Sequence, residues 1–332
     1  MNIMAIETSC DETSVAIVRD GYEVLSNVVL SQIDIHKKYG GVVPEIASRH
    51  HVNNITIVID EALKKANLKK DDIDAVAVTY GPGLKSALLV GVEAAKAISY
   101  VLEIPLIPVH HLAGHIYANR LVETLKFPLI ALVVSGGHTE LVLMKEDYSF
   151  KIVGETFDDA VGECYDKVAR VLNVGYPGGP VIDKLAQSGV PTYELPLPLN
   201  DDSLNYSFSG LKSAVINLAH NLEQRKEAII SENLAASFQK VVVEVLVDKT
   251  IRAAKKYNAK QILLAGGVAA NKSLRETLIL EAEKLDQVEV LIPPISYCTD
   301  NAAMIGAAAY FAYQKGITAD FYLDAKPNIP LK

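Results

Sequence analysis

The chain runs the same course twice, and that repetition limits its fold more than any single motif does. NIMAIETS and TSVAIVRD are apolar runs joined by the polar turn SCDE, and EVLSNVVLSQ follows the turn DGY. From Pro128 onward, PLIALVVSGG, HTELVLMKE and YSFKIVGE give three more strands with short turns. Helices and further strands follow each trio. In the first half a helix is predicted from Glu45 to Ala66, with Ile46, Val52, Ile55, Ile59 and Leu63 near one face. The strand DAVAVTY, the breaker GPG, the helix SALLVGVEAAKAISYVL and the strand PLIPVHH complete it. The second half continues with a helix around AVGECYDKVARVL and, after a polar excursion, a long helix over about 231 to 258. The strand QILLAGG, a helix from Asn271, the strand VEVLIPPI and a last helix from Thr299 close it. Architecture is duplicated here, not sequence. Two α/β halves that each open with a β-hairpin predict a two-lobed fold with a nucleotide cleft between lobes.

At 332 residues, half of them apolar, the chain can bury two cores of ordinary size. The first lobe is expected over 1–117 plus 300–332 and the second over 118–299, with an inserted excursion around 176–230. Pro and polar residues crowd 191–207 within it. No apolar run approaches the roughly 18 residues of a membrane span, and MNIMAIETSC lacks the basic-then-apolar order of a secretory signal. Cys10, Cys164 and Cys298 are too few and too scattered for a disulfide framework or a cysteine zinc site. The expected home is the reducing cytoplasm, with no membrane partner. A net charge of −8 argues against a general nucleic-acid coat protein but leaves room for a local basic patch. KKANLKKDD at 64–72 is one such tract, although a solvated helix end explains it as simply.

IPVHHLAGH at 107–115 places His110, His111 and His115 directly after an apolar run. If the chain turns helical at about His111, then His111 and His115 stand four apart and share a face. Two neutral imidazoles on adjacent turns form half of a transition-metal site. His110 then points elsewhere. The zinc-protease pattern His-Glu-x-x-His needs a glutamate after the first ligand, and here Leu112 stands there. A capping histidine beside surface-lining ones would explain the same letters. Any third ligand must come from a distant part of the chain.

Several turns carry groups suited to phosphates and nucleosides. ETSCDETS and SGGHTE occupy equivalent turns of the two halves and can offer backbone N–H groups to phosphate oxygens, with Asp11 able to bind a metal or orient a water. Both also read as plain polar hairpin turns. LLAGGVAANKSLRE ends a strand in Gly266-Gly267 and starts a helix near Asn271, which suits a flat or anionic ligand. In YPGGPVID, Asp183 can accept hydrogen bonds from ribose hydroxyls or simply favour a helix first turn. SYCTDNAAMIGAAA sets Asp300 at the mouth of the last helix. Capping is its simple role, and completing a His-His-Asp metal site is the other.

ETSCDETS, YGPGL, VHHLAGH, SGGHTE, YPGGP, YSFSGLK, GGVAAN and CTDNAAMIG occur in this order. Together, over about residues 1–315, they resemble the tRNA N6-adenosine threonylcarbamoyltransferase family in its bacterial TsaD branch. The resemblance implies an actin/hexokinase/Hsp70-like ATPase fold with duplicated RNase H-like halves. It also implies transfer of the threonylcarbamoyl group of threonylcarbamoyl-AMP to N6 of adenosine 37, in tRNAs reading codons that begin with A. By motif, His111, His115 and Asp300 match the family's ligands to one divalent ion, iron or zinc, since His/Asp ligation suits both. Val134, Ser135, Gly136, Gly137 and His138 match the loop that meets the substrate phosphate and carbamoyl group. Asp166, Gly179, Asp183 and Asn271 match contacts to the adenosine part, and Asp11 matches an acid of the catalytic hairpin. The chain departs from relatives at His50 and at Lys85-Ser86, away from these positions. The implied partners are tRNA, an inactive paralogue and a small ATPase, and ATP is a second possible nucleotide.

On this pattern an ion held by two imidazoles and one carboxylate acts as a Lewis acid. The SGG amides meet developing negative charge, and Asp11 positions or deprotonates the attacking amine. Two other classes stay open. A metalloprotease is suggested by the HHxxGH string alone and lacks the adjacent glutamate. A non-catalytic nucleotide-binding scaffold would be expected to have lost the ligands that this chain retains.

Overall fold

The computed structural model describes residues 1–332, and these divide into two compact units. One comprises Met1–Leu125, Glu146–Phe150 and Pro293–Lys332; the other comprises Lys126–Lys145 and Lys151–Ile292. No helix is long and apolar enough to cross a membrane.

In the first unit, β1 (Asn2–Glu7), β2 (Glu12–Arg19) and β3 (Glu23–Ser31) form the expected antiparallel trio. A short α1 (Ile33–His36) and the long α2 (Pro44–Ala66) follow, then β4 (Ala75–Gly81), α3 (Lys85–Leu102), β5 (Leu106–His110) and α4 (His111–Tyr117). The sheet order is β3-β2-β1-β4-β5, with β4 and β5 parallel to β1. Covered on both faces, β1 reads as an unbroken apolar run that ends in a single charge, Glu7. Met4, Ile6, Val15 and Ile17 pack with Ile55, Val58, Val76, Val78 and Val92 into one core.

The second unit repeats the topology. β6 (Leu129–Val134), β7 (Thr139–Met144) and β8 (Lys151–Glu155) are antiparallel neighbours. After them come α5 (Val161–Val171), α6 (Gly178–Ala186), α7 (Ser209–Gln224), α8 (Ser231–Lys256), β9 (Gln261–Ala265), α9 (Lys272–Ala282) and β10 (Glu289–Leu291). Its sheet order is β10-β9-β6-β7-β8. In both sheets the first strand of the trio pairs antiparallel on one side and parallel on the other, so the duplication read from the sequence holds. The excursion is more ordered than its composition suggests, because α6 and α7 lie within it. α7 buries Leu211, Val215, Ala219 and Leu222, a helical stripe inside an otherwise polar stretch.

The chain returns to the first unit as α10 (Ala302–Gln314). This helix starts at Ala302, not Thr299, because Asn301 caps it by accepting a hydrogen bond from Met304 N at 3.1 Å. Its AAMIGAAA stretch is mostly alanine and glycine, and it lies close against α4, with Met304 and Ile305 packed on Gly114. A Cβ added at Gly114 would stand 2.6 Å from Ile305 Cδ1, and one at Gly306 would stand 2.6 Å from Val18 Cγ2. That close approach carries the N-terminal end of α10 toward His111 and His115.

Candidate active site

His110 ends β5, and the helix begins one residue later. Its Nδ1 accepts a hydrogen bond from Leu112 N at 3.2 Å, which makes it the cap of α4. Its Nε2 stands 3.0 Å from the Ile329 carbonyl, which can only accept, so Nε2 carries the proton. Burial pushes its pKa down to about 4, partly offset by that carbonyl. Both nitrogens are engaged, so His110 is no ligand.

His111 and His115 share one face of α4, with ring centroids 4.6 Å apart. Asp300 Oδ1 lies 3.5 Å from His111 Nε2 and 3.2 Å from His115 Nε2. One donor atom from each of the three side chains falls within 4.8 Å of the others. Asp300 does not cap α10, since Asn301 does, and Ala302 N is tied to Ser14 Oγ at 2.9 Å.

Glu7, fully buried at the end of β1, orients His111. Its Oε2 lies 3.1 Å from His111 Nδ1 and accepts from Thr79 Oγ1 at 2.6 Å, while Oε1 accepts from Ser9 N at 2.5 Å. Glu7 holds a proton on Nδ1, so Nε2, facing the shared volume, is the nitrogen that sheds its proton to a metal, the arrangement by which carboxylates fix metal-binding imidazoles. Burial opposes charge on His111, but Asp300 and Glu7 outweigh it and push its pKa up to about 9. Burial also works against the Glu7 carboxylate, and His111 outweighs it to hold that pKa down. For His115 burial wins, and its pKa falls.

These residues fit a divalent ion. His115 is 1 % exposed, and its Nε2, though near Asp300, is out of line for a hydrogen bond, so neither ring nitrogen is satisfied by the protein. Such buried imidazole nitrogens are costly unless something else binds them. Glu12, at the start of β2, adds to the case. Burial first, then Asp300 and Asp11, push its pKa up to about 9. A cation would relieve this crowd of carboxyl groups.

The hairpin turn that carries Asp11 is anchored on several sides. Ser9 O accepts from Leu84 N at 2.8 Å and Asp11 O accepts from Gln32 N at 3.0 Å. Gly83 in the GPG turn has φ +155°, and a Cβ there would sit 2.6 Å from Ser9 O, so the breaker is there to let two backbones meet.

The nucleotide candidates assemble in the second unit. Val134 ends β6, and the loop Ser135, Gly136, Gly137 and His138 closes on itself through Ser135 N to His138 O at 2.9 Å. A Cβ at Gly136 or Gly137 would meet nothing within 4 Å, so the loop tip offers bare backbone. Gly266, with φ +91°, crosses over Val134, where a Cβ would fall 2.4 Å from the carbonyl oxygen. Asp166 on α5 accepts from Gly178 N at 2.6 Å and so docks the PGGP turn, leaving Gly179 facing open space. Burial raises the pKa of Asp166. Asp183 sits inside α6 and not in its first turn; it accepts from Gln239 Nε2 at 3.0 Å and from Lys272 N at 3.2 Å. Asn271 caps α9 through Leu274 N at 2.8 Å and donates to Gln239 Oε1 at 2.7 Å. Gln239 therefore joins Asp183 to Asn271. The sequence reading passed over it, although a glutamine inside a buried apolar helix was a visible signal. Glu7, the one charge on a buried central strand, was a similar one.

Three comparisons with known proteins bear on the fold and the family. Among solved structures the fold is shared with HypF from T. kodakarensis at a TM-score of 0.61 and 12% identity, covering 95% of this chain and 48% of that one. It is shared also with an activator of 2-hydroxyisocaproyl-CoA dehydratase from Clostridium difficile, solved with bound ADPNP, at 0.55 and 13%, covering 95% and 97%. The class is a duplicated α/β fold with two five-stranded sheets. A family model described as TsaD, tRNA N6-adenosine threonylcarbamoyltransferase, matches residues 23–307. Proteins with that description from Bacillus thuringiensis (strain Al Hakam) and Bacillus subtilis (strain 168) are 62% and 59% identical to this chain. The alignments cover 99% and 100% of it and 96% of each relative. The chain belongs to the tRNA N6-adenosine threonylcarbamoyltransferase family.

Proposed function

We propose that this chain is the transferase that moves the threonylcarbamoyl group of threonylcarbamoyl-AMP to N6 of adenosine 37, in tRNAs reading codons that begin with A. The observation that carries the reading is the set His111, His115 and Asp300, backed by Glu7, in a chain similar over its whole length to transferases of that name. We assign His111 Nε2, His115 Nε2 and an Asp300 oxygen as ligands of one divalent iron or zinc. Bound there, the ion supplies Lewis-acid polarisation of a substrate oxygen.

The remaining work falls to the chain's own groups. Asp183, Asn271 and Gly179 bind the adenosine part, with Asp166 holding the PGGP turn in place. The bare backbone of Val134 to His138 meets the phosphate and the charge developing on the carbamoyl oxygen. The N6 amine attacks the carbamoyl carbon, and AMP departs with the electron pair of the bond that breaks. Asp11 takes the proton released by the amine, or holds the amine in line while that proton passes to the departing AMP phosphate. Only a local basic patch can meet tRNA phosphates, given the net charge of −8, and this favours a complex with an inactive paralogue and a small ATPase that extends the patch.

The test is reconstitution with tRNA, threonine, bicarbonate, ATP and a synthase for the intermediate, adding the paralogue and the ATPase one at a time. Mass spectrometry of the digested tRNA reads the product. Product that needs this chain and disappears with Asp300→Ala supports the reading. Cleavage of casein or a glycoprotein by the metal-loaded protein, without tRNA modification, would favour the protease instead. Nucleotide binding without either activity would favour a scaffold.

A further inference from the structure

His51 lies on α2, far in sequence from every residue assigned above, and it is completely buried. A buried histidine on an apolar helix face is usually there for packing. This one, however, uses both ring nitrogens on the hairpin that carries Asp11. Its Nε2 is 2.9 Å from the Cys10 carbonyl, and its Nδ1 is 2.8 Å from Thr13 Oγ1. The two contacts flank Asp11-Glu12, one on each side.

The chemistry of the partners settles the tautomer. A carbonyl only accepts, so Nε2 carries the proton. With the ring neutral, Nδ1 must accept, and the Thr13 hydroxyl donates to it. Burial favours this neutral state by lowering the His51 pKa, against the pull of the Cys10 carbonyl and of Glu7 and Asp11. The imidazole thus offers one donor and one acceptor at fixed separation. It is a rigid bridge from α2 to the turn.

The other anchors of the turn act on different atoms. Gln32 N holds the Asp11 carbonyl at 3.0 Å, and Ser31 Oγ holds Glu12 Oε1 at 2.9 Å. His51 ties the turn to the long helix α2, and it does so through a single side chain on both sides of the acid. Asp11 is itself 8 % exposed, and its side chain hydrogen-bonds with those of the adjacent Cys10 and Glu12, so its aim follows the backbone of the turn that carries all three.

We propose that His51 is a positioning residue for the transfer reaction, acting through Asp11 by fixing the backbone on both sides of it. This rests on the catalytic reading of Asp11. The experiment measures kcat and KM for threonylcarbamoyl-AMP in the reconstituted complex, with metal content and thermal melting recorded for each variant. His51→Leu is expected to lower kcat on the order of a hundredfold, the scale of a misplacement of about 1 Å. KM stays within about twofold, because the adenylate contacts are untouched. A Gln side chain can present a donor and an acceptor to the same two partners, so His51→Gln is expected to restore most of the loss. In an Asp11→Ala background, His51→Leu is expected to cost nothing further.

Two results would overturn the proposal. One is a folded, metal-loaded His51→Leu variant with wild-type kcat; the other is a loss that multiplies with that of Asp11→Ala. If His51→Leu does not fold, Thr13→Val removes one of the two bonds while keeping the side-chain shape, and a smaller kcat loss reversed by Thr13→Ser is expected. Full activity of Thr13→Val would then count against the bridge. Asp11→Ala with wild-type kcat is a separate outcome: it removes the catalytic reading of Asp11, and the positioning role with it.

Discussion

Replacing Glu7 by glutamine tests the site without touching a ligand. All three partners of the Glu7 carboxylate, Ser9 N, Thr79 Oγ1 and His111 Nδ1, act as donors toward it. A glutamine amide has one accepting oxygen and one NH2, so it cannot serve both sides. If the oxygen faces Ser9, the NH2 faces His111 Nδ1, and the imidazole must accept there. The proton then moves to Nε2, the atom assigned to the metal. Losing such an outer carboxylate costs about 10–100-fold in metal affinity, or about 1.4–2.8 kcal/mol at 1.4 kcal/mol per tenfold. A pH signature accompanies the loss. In the metal-free protein His111 is charged up to about pH 9, so metal must displace one proton and wild-type affinity rises with pH until that point. Without Glu7 the His111 pKa falls, and the rise levels off at lower pH. Chelator competition at several pH values, with zinc as the probe, measures both effects. Wild-type affinity and an unchanged pH profile in Glu7→Gln would refute the orienting role.

His111→Ala, His115→Ala and Asp300→Ala are each expected to lose metal and transfer together, while His110→Ala keeps most of both because its nitrogens serve the α4 cap and Ile329; elemental analysis beside product formation decides. Glu140 lies opposite Glu155 across β7 and β8, and burial, then Glu155, push its pKa up to about 7. Its folded pKa exceeds the unfolded one, so wild-type stability is lost as pH rises from about 4.5 to about 7. Glu140→Gln is therefore expected to gain up to about 3 kcal/mol over wild type at pH 8 and nothing at pH 4.5. Urea melts at the two pH values check this, and an equal gain at both refutes it. Gly266→Ala forces a side chain into φ +91° and against the Val134 carbonyl. It is expected to cost at least about 1–3 kcal/mol and to weaken ADP binding; an unchanged melt with unchanged calorimetric affinity would show that the crossing is not tight.

By itself the sequence determined everything that depends on neighbours along the chain. Period-two and period-3.6 patterns set the strands and most helices, and their recurrence set the duplicated fold. The spacing of His111 and His115 put two imidazoles on one face as soon as α4 began, and GPG read as a breaker; that Gly83 and Gly266 stand where backbones cross came from the fold. Tertiary structure decided what comes from a distance. Asp300 could be read as a cap until Asn301 took that role and the close contact of Gly114 with Ile305 carried the start of α10 to the histidines. Asp183 could be read as a first-turn acid until Gln239 and Lys272 N engaged it. Glu7, Gln239 and His51 stand out only as polar residues among apolar ones; their bonds to His111, Asn271 and Thr13 reach 104, 32 and 38 positions along the chain, beyond any local pattern. The α7 stripe was hidden by the polar residues around it. Periodicity reports which face of an element is buried; which polar group meets which across the core is fixed only when the elements pack.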